Sequence, residues 1–532
     1  MLPLAPRRRI GWMLRANRLL GADQRLRSGR EFARAFAADS GRDLAPSQIT
    51  RWERGDLPVN RTVLRCYERL LGLPELTLTT VSDAVHRFYG DLDDTGTRRY
   101  EGDVRVTETS VSRRWHDLLA QARVPYAMTG AAWDELTAEI GRRPGLVLHP
   151  PTLWDEMCHH LLGELVIAEG REWLLRQEAM SRLLGHPDGG PAAVRTCTAM
   201  VDDRAVPVFI TPLSLLDATA DRRANRYVLD QLDNPHNELA HQGALLAAIR
   251  KLRAGHFRTA PEWRRLTAAA RGLLAGSGPD PAVQALSGEL LTGMARLLPH
   301  ENGLRAQLAA LHHDGGPALP QGVPADPGVL VDNLVRRARG LLPVEPPEAD
   351  DVFPALIAEA MHSPNADLRL YSVMLVAATP YRWPLASAAL GEMQGRLKDW
   401  GPGLVASTLR MLTLLKTPDH RELVYGLLVD PAATPPLRHA AASATPHWRA
   451  RMDAGRWQRV LAAQRQQARR APSTLDDGIL RALAYGMATD GHRDLLREVE
   501  AGSTGRPYPP QAQAIADWWT RLPPQLLAAA RR

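Results

Sequence analysis

Apolar residues recur at intervals of three and four along most of this chain. Trp115, Leu118, Leu119 and Ala122 keep that spacing, as do Trp133, Leu136 and Ile140; Leu153, Trp154, Met157, Leu161, Leu162, Leu165 and Val166 carry it on. Such a period puts one stripe of each segment on a buried helical face, so it predicts helix after helix and an all-α fold class. One run breaks the rhythm, Ala205-Val206-Pro207-Val208-Phe209-Ile210. It is apolar and β-rich, but a lone strand would have nothing to pair with, so an extended connector is expected there.

The most informative stretch is Leu44-Ala45-Pro46-Ser47-Gln48-Ile49-Thr50-Arg51-Trp52-Glu53-Arg54-Gly55. Pro46 suits the first position of a helix and Gly55 the residue just past its end, which predicts a short helix over residues 46–54. Ile49 and Trp52, three apart, fall on one side and anchor it. Ser47, Gln48, Thr50, Arg51 and Arg54 point elsewhere, which leaves a row of hydrogen-bond donors over two buried anchors.

The words Gln48-Ile49-Thr50-Arg51-Trp52-Glu53-Arg54-Gly55 resemble the end of the recognition helix in the lambda-repressor-like (XRE-type) helix-turn-helix family. Ile10, Leu14, Arg15 and Arg18 resemble its first helix, and Glu31-Phe32-Ala33 the start of its second. Pro58 and then Val63-Leu64-Arg65-Cys66-Tyr67-Glu68-Arg69-Leu70-Leu71-Gly72-Leu73 resemble its closing helices, so the likeness covers residues 7–75. The chain departs from a compact member in three places. The segments from Arg18 to Ala33 and from Ala33 to Glu53 are both longer, so Ala37–Asp43 must extend the second helix or its turn. Ala45 stands where a capping Ser or Thr would be better. The longer turn is similar to that of regulators from high-GC actinobacteria. The resemblance implies double-stranded DNA as partner, with Gln48 on an adenine edge and Arg51 on a guanine edge in the major groove. It also implies a DNA-binding set of Ser47, Gln48, Thr50, Arg51, Arg54, Arg61 and Arg30, with Thr50, Arg54 and Arg61 on phosphates, and a homodimer on a palindromic site.

The charge distribution agrees with a DNA-binding head. Residues 1–90 hold 16 Arg against 9 acidic residues, a net of +7, and the whole chain has the same net charge of +7. The remaining residues therefore balance, and the excess positive charge is confined to one end, as phosphate neutralisation by one module requires. Any single Arg is weak testimony, because Lys251, Lys398 and Lys416 are the only lysines among 66 basic residues.

With 532 residues the chain exceeds one core, and its 45% hydrophobic and 23% charged content is that of a globular protein. Expected boundaries are a helix-turn-helix head at 1–90, a polar linker at 91–112 that tethers it, a helical intermediate domain at 113–230 and a helical-repeat region at 231–532. A Pro/Gly-rich break falls near 314–350. Three phrases in the last region share a shape: Asn234-Pro235-His236-Asn237-Glu238-Leu239-Ala240, Ser363-Pro364-Asn365-Ala366-Asp367-Leu368-Arg369 and Asp430-Pro431-Ala432-Ala433-Thr434-Pro435-Pro436-Leu437-Arg438. They resemble the inter-helix turn of HEAT-type repeats, in which an Asx or Ser caps and Pro opens the second helix. The resemblance implies a degenerate α-solenoid.

No phosphate loop or dinucleotide-binding glycine pattern occurs, and no enzyme activity or cofactor is expected. Cys158-His159-His160 with Glu164 could be imagined as metal ligands, but adjacent histidines on a helix diverge by about 100 degrees. His236 and His241 stand five apart rather than four, and His312-His313 reads as a solvated loop edge. The three cysteines, Cys66, Cys158 and Cys197, form no pair pattern. That absence, the lack of a signal sequence and of any long apolar run point to a cytoplasmic, nucleoid-associated protein with no membrane partner. Two readings follow. One is a transcriptional regulator whose body binds an effector, peptide or protein; the other is a helical-repeat interaction scaffold that its basic head localises to DNA.

Overall fold

Pro6 opens a helix at the position where its missing N–H is not needed, and Ile10, Met13, Leu14 and Leu20 give the segment Pro6–Leu20 a buried face. This is α1. The computed structural model describes residues 4–89, 113–275, 281–297, 327–344, 350–417, 420–447, 451–473, 475–501 and 508–532. Among them every regular element is a helix, as the periodicity predicted, and none is long and apolar enough to cross a membrane. The expected linker, about half of the Pro/Gly-rich break and His312-His313 lie outside the described residues, and Pro327–Gly340 within that break is a helix. Residues 203–209 are an irregular connector ahead of the helix Ile210–Leu215, in line with expectation.

The chain divides into two compact units, Met1–Thr107 with Leu319–Gly486, and Glu108–Ala318 with Met487–Arg532. This partition is not the serial one expected from sequence. The head shares a unit with residues 319–486, and the two ends of the expected repeat region belong to the other unit.

In the first unit, α2 (Gly29–Ser40) starts at Ser28, whose hydroxyl accepts from the Glu31 N–H, and stops at Gly41 in the left-handed region with φ +67. Then come α3 (Pro46–Arg54), α4 (Arg61–Leu70) and α5 (Thr77–Tyr89). The buried Glu68 carboxylate caps α5 by accepting from the N–H groups of Leu78 at 2.7 Å and Thr79 at 2.9 Å. Both departures from a compact head are accounted for. A 3-10 turn over Gln24–Arg27 fills the first, and a longer α2 with a turn over residues 41–45 fills the second.

Residues of the head pack directly on helices far along the chain. One flank of α1 packs on the helices Val352–His362 and Ala366–Ala377, and α5 packs on the second of these. Arg9, 1% exposed, places both terminal nitrogens 2.6 Å from the two oxygens of Glu359. The Trp12 indole lies against the stacked pair Phe353 and Tyr381, with ring centroids at 6.1 and 5.9 Å, and donates its N–H to Asp350 at 3.1 Å. Asn17 donates to the Ala378 carbonyl at 2.8 Å, and Phe88 meets Tyr371 at 5.2 Å. These contacts bury aromatic surface and give the polar groups of Arg9, Trp12 and Asn17 partners, so they form one core.

Farther along the same unit, helices pack on a neighbour, on the helix two further on, or on both. Arg382–Arg396 meets Pro402–Leu415, which meets Pro435–Ala444; His420–Val429 meets Pro435–Ala444 and Ala454–Arg470. The three repeat-like phrases do lie between helices, but proline does not open the helix in the first two. Asn237 and Asn365 are the caps there, accepting from the N–H groups of Ala240 at 3.0 Å and Leu368 at 2.7 Å. In the third, Pro435 rather than Pro431 takes the first helical position.

The second unit is built around a buried ion pair. Arg176 meets Glu164 at 3.0 Å, Trp133 donates its indole N–H to the same oxygen at 2.9 Å, and Arg176 donates to the Ala529 carbonyl at 2.8 Å, which ties in the C-terminal helix. Its one buried lysine, Lys251, donates to the Thr219 carbonyl at 2.6 Å and to Asn225 at 2.8 Å, and burial holds its ammonium down to about 8.

Candidate nucleic-acid interface

The helix α3 has the bounds its proline and glycine predict. Ile49 and Trp52 are 1% and 6% exposed, with Trp52 tilted against Phe36 at 5.6 Å. Ala45 makes no side-chain cap, and Gly55 closes the helix at φ +80. On the other side Ser47, Thr50, Arg51 and Arg54 are exposed and Gln48 is half-buried. The Thr50 hydroxyl donates back to the Pro46 carbonyl at 3.4 Å, so it can give a hydrogen bond to a phosphate only by leaving that carbonyl.

Two devices hold α3 in place. At Gly11 a side chain would begin 2.6 Å from the Trp52 carbonyl oxygen and 2.7 Å from that of Glu53, so only glycine lets α1 cross the end of α3 this closely. Next to that crossing, Arg18 of α1 and Glu53 of α3 form a buried two-pronged pair at 2.6 and 2.7 Å, and the Tyr67 hydroxyl donates to Glu53 at 3.1 Å. The strong hydrogen bonds to Glu53 and its charge keep the Arg18 pKa above its ordinary value despite the burial that opposes them. Desolvation is the largest influence on Tyr67, whose hydroxyl is pushed well above its usual value. Sequence reasoning passed over this pair, because its partners stand 35 residues apart.

One expected DNA-binding residue is corrected. Arg61 is 8% exposed and pairs with Asp83 of α5 at 3.1 Å, so it fastens α4 to α5 and is not available to a phosphate. Arg30 is exposed at the start of α2, as its expected role requires.

The other arginines of the head sort themselves. Arg8, Arg9, Arg18, Arg25, Arg34, Arg65 and Arg69 each face a carboxylate. Among the described residues the side chains of Arg15, Arg30, Arg42, Arg51 and Arg54 make no hydrogen bond or ion pair. Arg15 apart, all of these stand on α2, on α3 or in the turn that joins them. Four arginines without a carboxylate partner are thus gathered around α3, while Arg15 and Arg27, which donates to the Gly21 carbonyl, stand elsewhere. Arg42 was missed from sequence; its place in the Gly41-Arg42-Asp43 turn was the available signal.

The imagined metal ligands do not converge. Cys158 is in the core, where burial pushes its thiol up to about 12. His159 is exposed, His160 donates to the Ala122 carbonyl at 3.0 Å, and Glu164 belongs to the Arg176 pair. No group of three metal-ligating side chains occurs among the described residues. Comparison with protein-family models, with curated proteins and with solved structures returns no match to this chain.

Proposed function

We propose that the protein is a sequence-specific DNA-binding transcriptional regulator whose helical body binds an effector, peptide or protein partner. The observation that carries this reading is α3: a short helix anchored through Ile49 and Trp52, with Gln48, Arg51 and Arg54 turned outward and the free arginines collected around it. Gln48 pairs with an adenine edge and Arg51 with a guanine edge, while Ser47, Thr50, Arg54 and Arg30 set register on phosphates. The body is read as a degenerate HEAT-like solenoid. Support comes from helices close along the chain that pack in succession, Val352–His362 on Ala366–Ala377, Ala366–Ala377 on Pro402–Leu415 and Pro402–Leu415 on Pro435–Ala444.

Genome-wide mapping of bound DNA, followed by binding titrations on the enriched site, tests the proposal. A motif with half-sites about one helical turn apart is expected. Arg51→Ala should weaken binding to that site by about 1–3 kcal/mol and relax the base preference at one position, with little change on unrelated DNA. Equal affinity of the variant and the parent protein for the enriched site would remove α3 as the reading helix.

A further inference from the structure

The turn that joins α2 to α3, residues 41–45, carries both signs of charge at exposed positions, Arg42 and Asp43. It closes one end of a concave strip lined by Arg30, Arg34, Asp43 and Pro46 over Ala33 and Ala37. The small alanine side chains leave the floor of the strip open between the arginines. Arg34 is tied only to Glu31, through an exposed pair at 2.8 Å that a phosphate can displace at small cost. The Arg42 side chain has no partner among the described residues.

We propose that this long turn is itself a phosphate-binding element. Arg42 holds one phosphodiester of the strand that flanks the base-reading helix, and Arg30 and Arg34 hold its neighbours along the strip. Asp43 sits against the same backbone as a repulsive charge, so adjacent residues of one turn act in opposite senses. A lone basic turn would only strengthen binding; a paired one also limits affinity for DNA that is not seated in register. The inference rests on α3 as the DNA-reading helix.

Titrations of the full chain on its enriched site over about 50–200 mM salt test it, since each phosphate contact contributes about 0.9 to the slope of log affinity against log salt. Arg42→Ala should lower that slope by about one, weaken binding severalfold at low salt and leave the order of preference among base substitutions unchanged. Asp43→Asn should tighten binding severalfold at low salt, on unrelated duplexes at least as much as on the enriched site. Both side chains are exposed, so thermal unfolding of either variant should match the parent. If both variants bind as the parent does while Arg51→Ala still loses specificity, the turn does not touch the backbone and α3 alone keeps its role. If the parent binds no duplex in a salt-dependent way, both proposals fall.

Discussion

Glu53→Ala is expected to unfold the head locally at a cost of about 3–5 kcal/mol, the range for removing one partner of a buried ion pair. The Arg18 guanidinium would keep only backbone partners, the carbonyls of Leu26 and Arg27, and the Tyr67 hydroxyl would lose its acceptor. The cost arises from the charge left behind more than from the attraction lost. A double replacement, Arg18→Met with Glu53→Leu, should therefore recover most of the loss, minus the Tyr67 hydroxyl left without an acceptor. Hydrogen exchange at the amides of α1 and α3 measures both variants. A single variant with unchanged protection, or a double variant as labile as the single one, would contradict this account of how α3 is held.

Glu359→Ala should have a comparable effect at the other side of α1. Arg9 would be left almost fully buried with the Leu4 carbonyl at 2.9 Å and the Ser372 hydroxyl at 3.5 Å, neither of which balances its charge. A loss of about 3–5 kcal/mol is expected. It should appear as faster amide exchange in α1 and in the helix Val352–His362 together, because the pair joins them. Residues 113–275, in the other unit, should keep their protection. Faster exchange confined to the helix that carries Glu359 would mean that the head does not depend on this joint.

Local punctuation made α3 legible. Pro46, Gly55 and the three-residue spacing of Ile49 and Trp52 determine where the helix begins, ends and turns its apolar side, and each acts within a single turn of chain. The helical class was legible for the same reason. What lay hidden were partners brought together from afar. The apolar stripe of α1 announces that a face is covered, but Phe353, Glu359 and Tyr381 stand more than 330 residues away, and periodicity cannot say which surface does the covering. Arg61 went astray in the same manner. Its position after α3 suits a phosphate contact, and only the fold brings Asp83 to it. The repeat-like phrases were placed correctly between helices, yet the capping Asn237 and Asn365 were not distinguished from the prolines ahead of them, since both residue types punctuate helices.

The double duty of α1 bears on how the head could be handled by itself. One side of this helix grips the end of α3 through Gly11 and Arg18, and the other inserts Trp12 and Arg9 among residues 350–381. A fragment cut after α5 would keep the first grip and strip the second, so indole, phenyl and guanidinium groups that now have companions would face water. Such a piece would tend to self-associate before it ever met a duplex. In the intact chain, the same arrangement means that whatever presses on the helices at 350–381 acts through a single helix on the placement of α3.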